Sequence, residues 1–220
     1  MIPLLLMHNK LVNLVFLPLS LLLLLIGTIN FQQGSVKAQS NSTQIFTDPN
    51  DAFILNYPLD WEVAPRNSTF PYYGETTALV LRPIMDEPVT PLNEIIFSIS
   101  VSDVKRLLAD TQLAPAEFLD RLVDDKISSF EDPSSMYGNL NVELLGNNYT
   151  RIGDQPAKEL TFLIQNIGTF EVDIYTIFKD HLSHINFISP QAKVSEMYEQ
   201  FQQIKESFRF IPLLYIAQPA

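Results

Sequence analysis

The sequence predicts an α+β domain, a central antiparallel sheet covered by helices, preceded by an N-terminal hydrophobic helix. Three observations predict it. Between residues 142 and 188, apolar and polar residues alternate in segments parted by short turns, the pattern of an antiparallel meander. Around residues 115–130 and 190–208 the apolar period changes to three and four, the pattern of a half-buried helix. The first 38 residues contain no Asp or Glu and hold one long apolar run from Leu11 to Ile29.

That run is read first as a targeting segment. Lys10 precedes it, a polar stretch follows, and Val36-Lys37-Ala38 offers a small-residue cleavage pattern before Gln39. A cleaved signal core runs about 7 to 15 residues, whereas a spanning helix needs about 20. The run lies nearer the second figure, but Asn13, Pro18 and Ser20 weaken it as a span. Residues 1–38 are therefore a signal peptide or a membrane anchor, with cleavage after Ala38 preferred. In either case Lys10 keeps the N-terminus in the cytoplasm, and the body lies outside it, secreted or anchored. Residues 39–44 continue a Gln-, Ser- and Asn-rich linker, 45–212 form the folded domain, and 213–220 are a C-terminal tail.

Within the body, Ala52 to Tyr57 reads as a strand stopped by Pro58. Leu59-Asp60 turns it into Trp61-Glu62-Val63 as a tight hairpin, with Trp61 as its structural anchor. Thr77 to Arg82 and Glu94 to Val101 read as strands, the second with one buried face. From Pro115 to Phe130, Phe118, Leu119, Leu122, Val123 and Ile127 form a helical stripe, and Pro115 suits the first turn. Strands then follow over Val142–Tyr149, Ala157–Asn166, Thr169–Lys179 and Leu182–Ile188, with turns at Gly153-Asp154, Gly168 and Asp180. Ser189 as N-cap and Pro190 as first helical residue open a last helix, whose stripe is Val194, Met197, Tyr198, Phe201, Ile204 and Phe208. Phe208-Arg209-Phe210 ends it or forms a short edge strand.

Composition restricts function. Without residues 1–38 the chain keeps 12 basic and 25 acidic residues, a formal charge of −13. Such a surface repels phosphate backbones, so nucleic acid is not an expected partner. The absence of cysteine excludes disulfides, thiolate metal sites and a cysteine nucleophile. Asn41, Asn67 and Asn148 each begin an Asn-x-Ser/Thr triplet, consistent with exposure outside the cytoplasm.

The search for chemistry yields little. No G-x-S-x-G, H-E-x-x-H, G-x-G-x-x-G or phosphate loop occurs, and no cofactor is expected. His181 and His184 stand three apart, which in a strand puts them on opposite faces. Asp48-Pro49-Asn50-Asp51 lacks the Gly and Glu that a calcium loop needs. Glu117, Asp120 and Asp124 stack on one helix side and are the candidate metal ligands; a solvated face is the competing reading.

Three stretches together carry a resemblance. Phe53-Ile54-Leu55-Asn56-Tyr57-Pro58-Leu59-Asp60-Trp61 resembles the F-x-x-x-Y-P-x-x-W opening of PsbP-like domains. Gly153-Asp154-Gln155-Pro156-Ala157 resembles their turn before the long meander strands, and Ile204-Lys205-Glu206-Ser207-Phe208 their closing helix. The resemblance spans about Ile45 to Phe210 and implies an α/β/α sandwich. It also implies a family of extrinsic photosystem II subunits, assembly factors, a nuclear-transport relative that binds a small GTPase, and exported prokaryotic proteins. The basic tail of the plant members is missing here, since the linker holds only Lys37, and no functional residue is carried over. The expectation is a non-catalytic exported domain that binds a protein partner or steadies a membrane-associated complex. The alternatives are an extracytoplasmic module for a small molecule or a Ca or Mn cation, and a carboxylate-dependent hydrolase.

Overall fold

The computed structural model describes residues 42–50, 52–64, 76–86, 90 and 93–212. The N-terminal hydrophobic segment, the Ala38–Gln39 bond, Asn41, the triplet at Asn67, and the tail from 213 lie outside the described residues. No helix among the described residues is long and apolar enough to cross a membrane.

Ten strands make two antiparallel sheets among the described residues. The smaller has the order β1-β2-β10, from Thr43–Thr47, Phe53–Pro58 and Arg209–Phe210. The larger has the order β3-β4-β5-β9-β8-β7-β6. Its strands are β3 (Trp61–Val63), β4 (Thr77–Pro83), β5 (Ile96–Asp103), β6 (Val142–Ile152), β7 (Gln155–Ile164), β8 (Thr169–Phe178) and β9 (His181–Pro190). Helices α1 (Lys105–Thr111) and α2 (Pro115–Ser128) sit between β5 and β6, and α3 (Val194–Ser207) follows β9.

The meander β6 to β9 is as expected, and its turns have a local cause. Gly153 and Gly168 take φ of +55° and +63°, values that cost a residue without Cβ little. Alternation then assigns the two faces of the sheet. In β8, Val172 and Ile174 enter one core with Phe97, Ile99, Ile185, Phe187 and the α3 residues Met197, Phe201 and Ile204. Tyr175 and Ile177 enter a second core with Leu160, Phe162, Ile164 and the α2 residues Phe118, Leu119 and Val123. Helices therefore cover both faces, an α/β/α arrangement. Each fully buried Phe, Leu or Ile contributes about 1.5–3 kcal/mol.

Three sequence readings are corrected, and one helix is added. β2 and β3 are not a hairpin: β2 pairs with β1 and β10, whereas β3 pairs with β4. Leu59-Asp60 is the point at which the chain changes sheets. Ser189 and Pro190 do not open the last helix. Pro190 closes the β8–β9 ladder opposite Thr169, and a 3₁₀ turn at Gln191–Lys193 intervenes before α3. Helix α1 was not expected; it buries no residue and so has no apolar stripe to announce it. β1 begins at Thr43, two residues inside the segment read as linker.

Trp61 is fully buried, and its Nε1 donates to Gln200 Oε1 at 2.6 Å, tying β3 to α3. It is an anchor between layers, not of a hairpin.

Candidate functional site

The meander places β6 at one end of the seven-stranded sheet, where among the described residues it pairs only with β7. It is eleven residues long, against three for β3 at the opposite end. Strand edges present unpaired N–H and C=O groups, and most proteins shorten or cover them. Here Leu144, Leu145 and Tyr149 are exposed at 45%, 49% and 67%. The ladder shifts register between Leu144 and Gly146, which lets two consecutive leucines meet solvent. Ile167, in the turn after β7, is also exposed. Asn148, the head of the third triplet, is exposed in mid-strand, not at a strand end.

The acidic side of α2 faces this edge. The Tyr149 hydroxyl donates to Asp120 at 2.6–2.7 Å, and Lys158 of β7 places its ammonium 3.0 Å from the same carboxylate and 3.8 Å from the Tyr149 ring centre. Those hydrogen bonds, Tyr149's first, hold the Asp120 carboxyl below its ordinary value. Glu117 accepts from the Ala114 backbone N–H at 3.1 Å, capping α2. Asp124 is exposed, and its backbone carbonyl accepts from Ser128. The three candidate metal ligands are thus not drawn to one point. No group of three His, Asp or Glu among the described residues is placed to hold a metal ion.

Of the two histidines, His181 is exposed at the β9 end, and His184 enters a polar cluster on the α2 face. His184 Nε2 lies 2.7 Å from Asp173 Oδ1, which also accepts from Asn186 Nδ2 at 2.8 Å. Asp173 Oδ2 faces the Lys126 ammonium at 3.5 Å, longer than a normal hydrogen bond. Lys126 donates to the Tyr137 hydroxyl at 2.7 Å, and the His184 ring stacks on Tyr175. Burial pushes the Asp173 carboxyl up. The hydrogen bond and charge of His184, with Lys126 and Asn186, outweigh it and hold the group down at about 2. Glu171, two residues away on the same face, is pushed up to about 7 by burial and then by the Asp173 charge.

Such shifts attract attention as catalytic signals, but the geometry here is that of a buried network. Asp173 and Glu171 are 1% and 8% exposed. Ser100 lies opposite His184 in the β5–β9 register, yet no side-chain hydrogen bond joins them among the described residues. Sequence reasoning missed this cluster because Glu171 and Asp173 alternate with Val172 and Ile174, as a solvent-facing row would. The available signal was the amphipathic helix at Pro115, which has to cover that face.

No protein-family model and no curated protein sequence matches the chain. Solved structures do. The chain is similar to cyanobacterial PsbP (CyanoP) from Synechocystis, at TM-score 0.52 and 15% identity, over 80% of this chain and 96% of that one. It is also similar to LpqN of Mycobacterium tuberculosis, involved in cell envelope biogenesis. That match has TM-score 0.50 and 15% identity, over 78% of this chain and 93% of that one. Identity this low speaks for fold alone. The opening, turn and ending motifs quoted above fall in β2–β3, the β6–β7 turn and the end of α3, and the chain has the PsbP-like fold.

Proposed function

We propose that this is a non-catalytic extracytoplasmic domain that docks a protein partner along the β6 edge. One observation carries it: an eleven-residue edge strand with exposed Leu144, Leu145 and Tyr149. An extended segment added to such an edge gains main-chain hydrogen bonds, and pockets for alternate side chains give it specificity. The hydrolase reading needs two acids facing a cleft. Among the described residues, the neighbouring acids Glu171 and Asp173 are buried beside Lys126 and Tyr137, and of the two acids that line a cavity between the two sheets, Asp48 is 2% exposed and Asp180 faces Lys105. The cation reading would have to displace Lys158 from Asp120. Export rests on residues 1–38, whether cleaved or retained as an anchor, and an anchor would make the docking membrane-proximal.

The test is site-specific photo-crosslinking in the native host. A photo-reactive residue at Leu145 should give a discrete protein adduct. The same residue at Leu107 on α1, which is also about half exposed, should not. Equal adducts from both positions, or none from Leu145, would count against the edge.

A further inference from the structure

A cavity of about 490 Å³ opens at one end of the domain, between the two sheets. Its apolar wall includes Ala78, Val101, Phe178 and Phe210, the two rings stacked with centres 4.7 Å apart. Its polar lining includes Asp48, in the turn between β1 and β2, together with Lys179, Asp180 and His181. The Asp48 carboxylate is 2% exposed. Oδ2 accepts from the backbone N–H groups of Asn50 and Ala52 at 3.1 and 3.2 Å, which fixes its orientation. Oδ1 is buried and has no hydrogen-bond partner among the described residues.

An unpaired buried acceptor costs about 1–3 kcal/mol, more for a charged group, and native structures rarely keep one without a use. The missing partner is therefore a donor, and a positive charge matches best. A divalent cation does not fit, because it takes six or more oxygen ligands or a fixed octahedron. The other carboxylate in the lining, Asp180, faces Lys105 at 3.7 Å. An anion would pair with Lys179, which lies 5.1 Å from the Phe178 ring centre, but would leave Asp48 Oδ1 unpaired. A wholly apolar molecule would leave Oδ1 unpaired. An ammonium would pair with it and set its apolar body against the wall of Phe178 and Phe210.

We infer that this cavity binds a small organic ammonium, with its charged end on Asp48 Oδ1 and an apolar body against Phe178 and Phe210. The volume lies within the usual range for small-molecule sites, about 300–1,000 Å³. The site stands apart from the β6 edge, and neither proposal depends on the other.

Calorimetry on the full-length chain tests it with three probes of one shape: 2-phenylethylammonium, 2-phenylethanol and 3-phenylpropionate. The ammonium should bind saturably, about tenfold or more tighter than the alcohol, and the carboxylate should give no saturable heat. Asp48→Asn should remove the preference for the ammonium and spare the alcohol. Ala78→Phe, which fills the cavity, should abolish both. Selectivity in the unmutated chain decides the matter even if a variant folds poorly. No ammonium binding up to about 10 mM, equal affinity for ammonium and alcohol, or full binding by folded Ala78→Phe would each overturn the assignment.

Discussion

Trp61 Nε1 donates to Gln200 Oε1 at 2.6 Å with both side chains buried, so a three-residue edge strand is tied to the closing helix by one polar contact. Replacing Gln200 with Leu leaves the indole N–H unsatisfied and should cost about 1–3 kcal/mol. Trp61 is the chain's one tryptophan, so urea denaturation followed by its emission reads the loss directly. Trp61→Phe with Gln200→Leu, followed by far-UV circular dichroism because the Trp61→Phe variants lack the indole, should cost less than the sum of the two single changes, since the pair acts as a unit. Strict additivity would show that the contact carries no coupling.

Glu171 gives the fold a pH signature. Its carboxyl is raised from an ordinary 4.5 to about 7 in the folded domain. The folded state therefore holds a proton that the unfolded state has released between those values, and stability falls as pH rises through that window. Glu171→Gln should flatten the slope and raise stability at pH 8 by about 2–3 kcal/mol. Denaturation midpoints at about pH 5 and pH 8 check it. An unchanged slope in the variant would contradict this account.

Asp173 acts in the opposite sense. Its carboxyl is held at about 2, below the ordinary 3.8, so its contribution is present above that ordinary value and is lost as pH falls through about 2. Asp173→Ala leaves Lys126 and His184 facing an emptied site and should destabilise by about 3–5 kcal/mol near neutral pH. Thermal unfolding of the variant measures it. A loss below about 1 kcal/mol would show that water already serves this cluster.

Much of this architecture was legible because packing and local sequence agree. Phe118, Leu119 and Val123 on one helix, and Met197, Phe201 and Ile204 on the other, are the stripes that bury. Gly153 and Gly168 turn where glycine is needed. What was not legible depends on partners far away in the chain. Pro58-Leu59-Asp60 looks like a hairpin turn in isolation, and only the pairing of β2 with β10 shows the chain leaving for another sheet. Pro190 looks like a helix start until Thr169 is placed opposite it. The acidic row on α2 was read as Glu117, Asp120 and Asp124 together. Asp120 was claimed instead by Tyr149 and Lys158, from strands later in the chain.

That competition makes a prediction for cations. Calorimetric titration of Ca²⁺ or Mn²⁺ should give no saturable heat, and Asp120→Ala with Asp124→Ala should leave the trace unchanged. Heat that disappears in this variant would restore the cation-binding reading of α2.

The central claim is that a protein segment adds to β6, and amide hydrogen exchange tests it most directly. The partner captured through Leu145 is added back to the full-length chain, and exchange is compared with and without it. The account predicts new protection within Val142–Ile152, with β3 at the opposite end of the sheet unchanged. Protection that appears on β3 or α3 while β6 exchanges as before would contradict it.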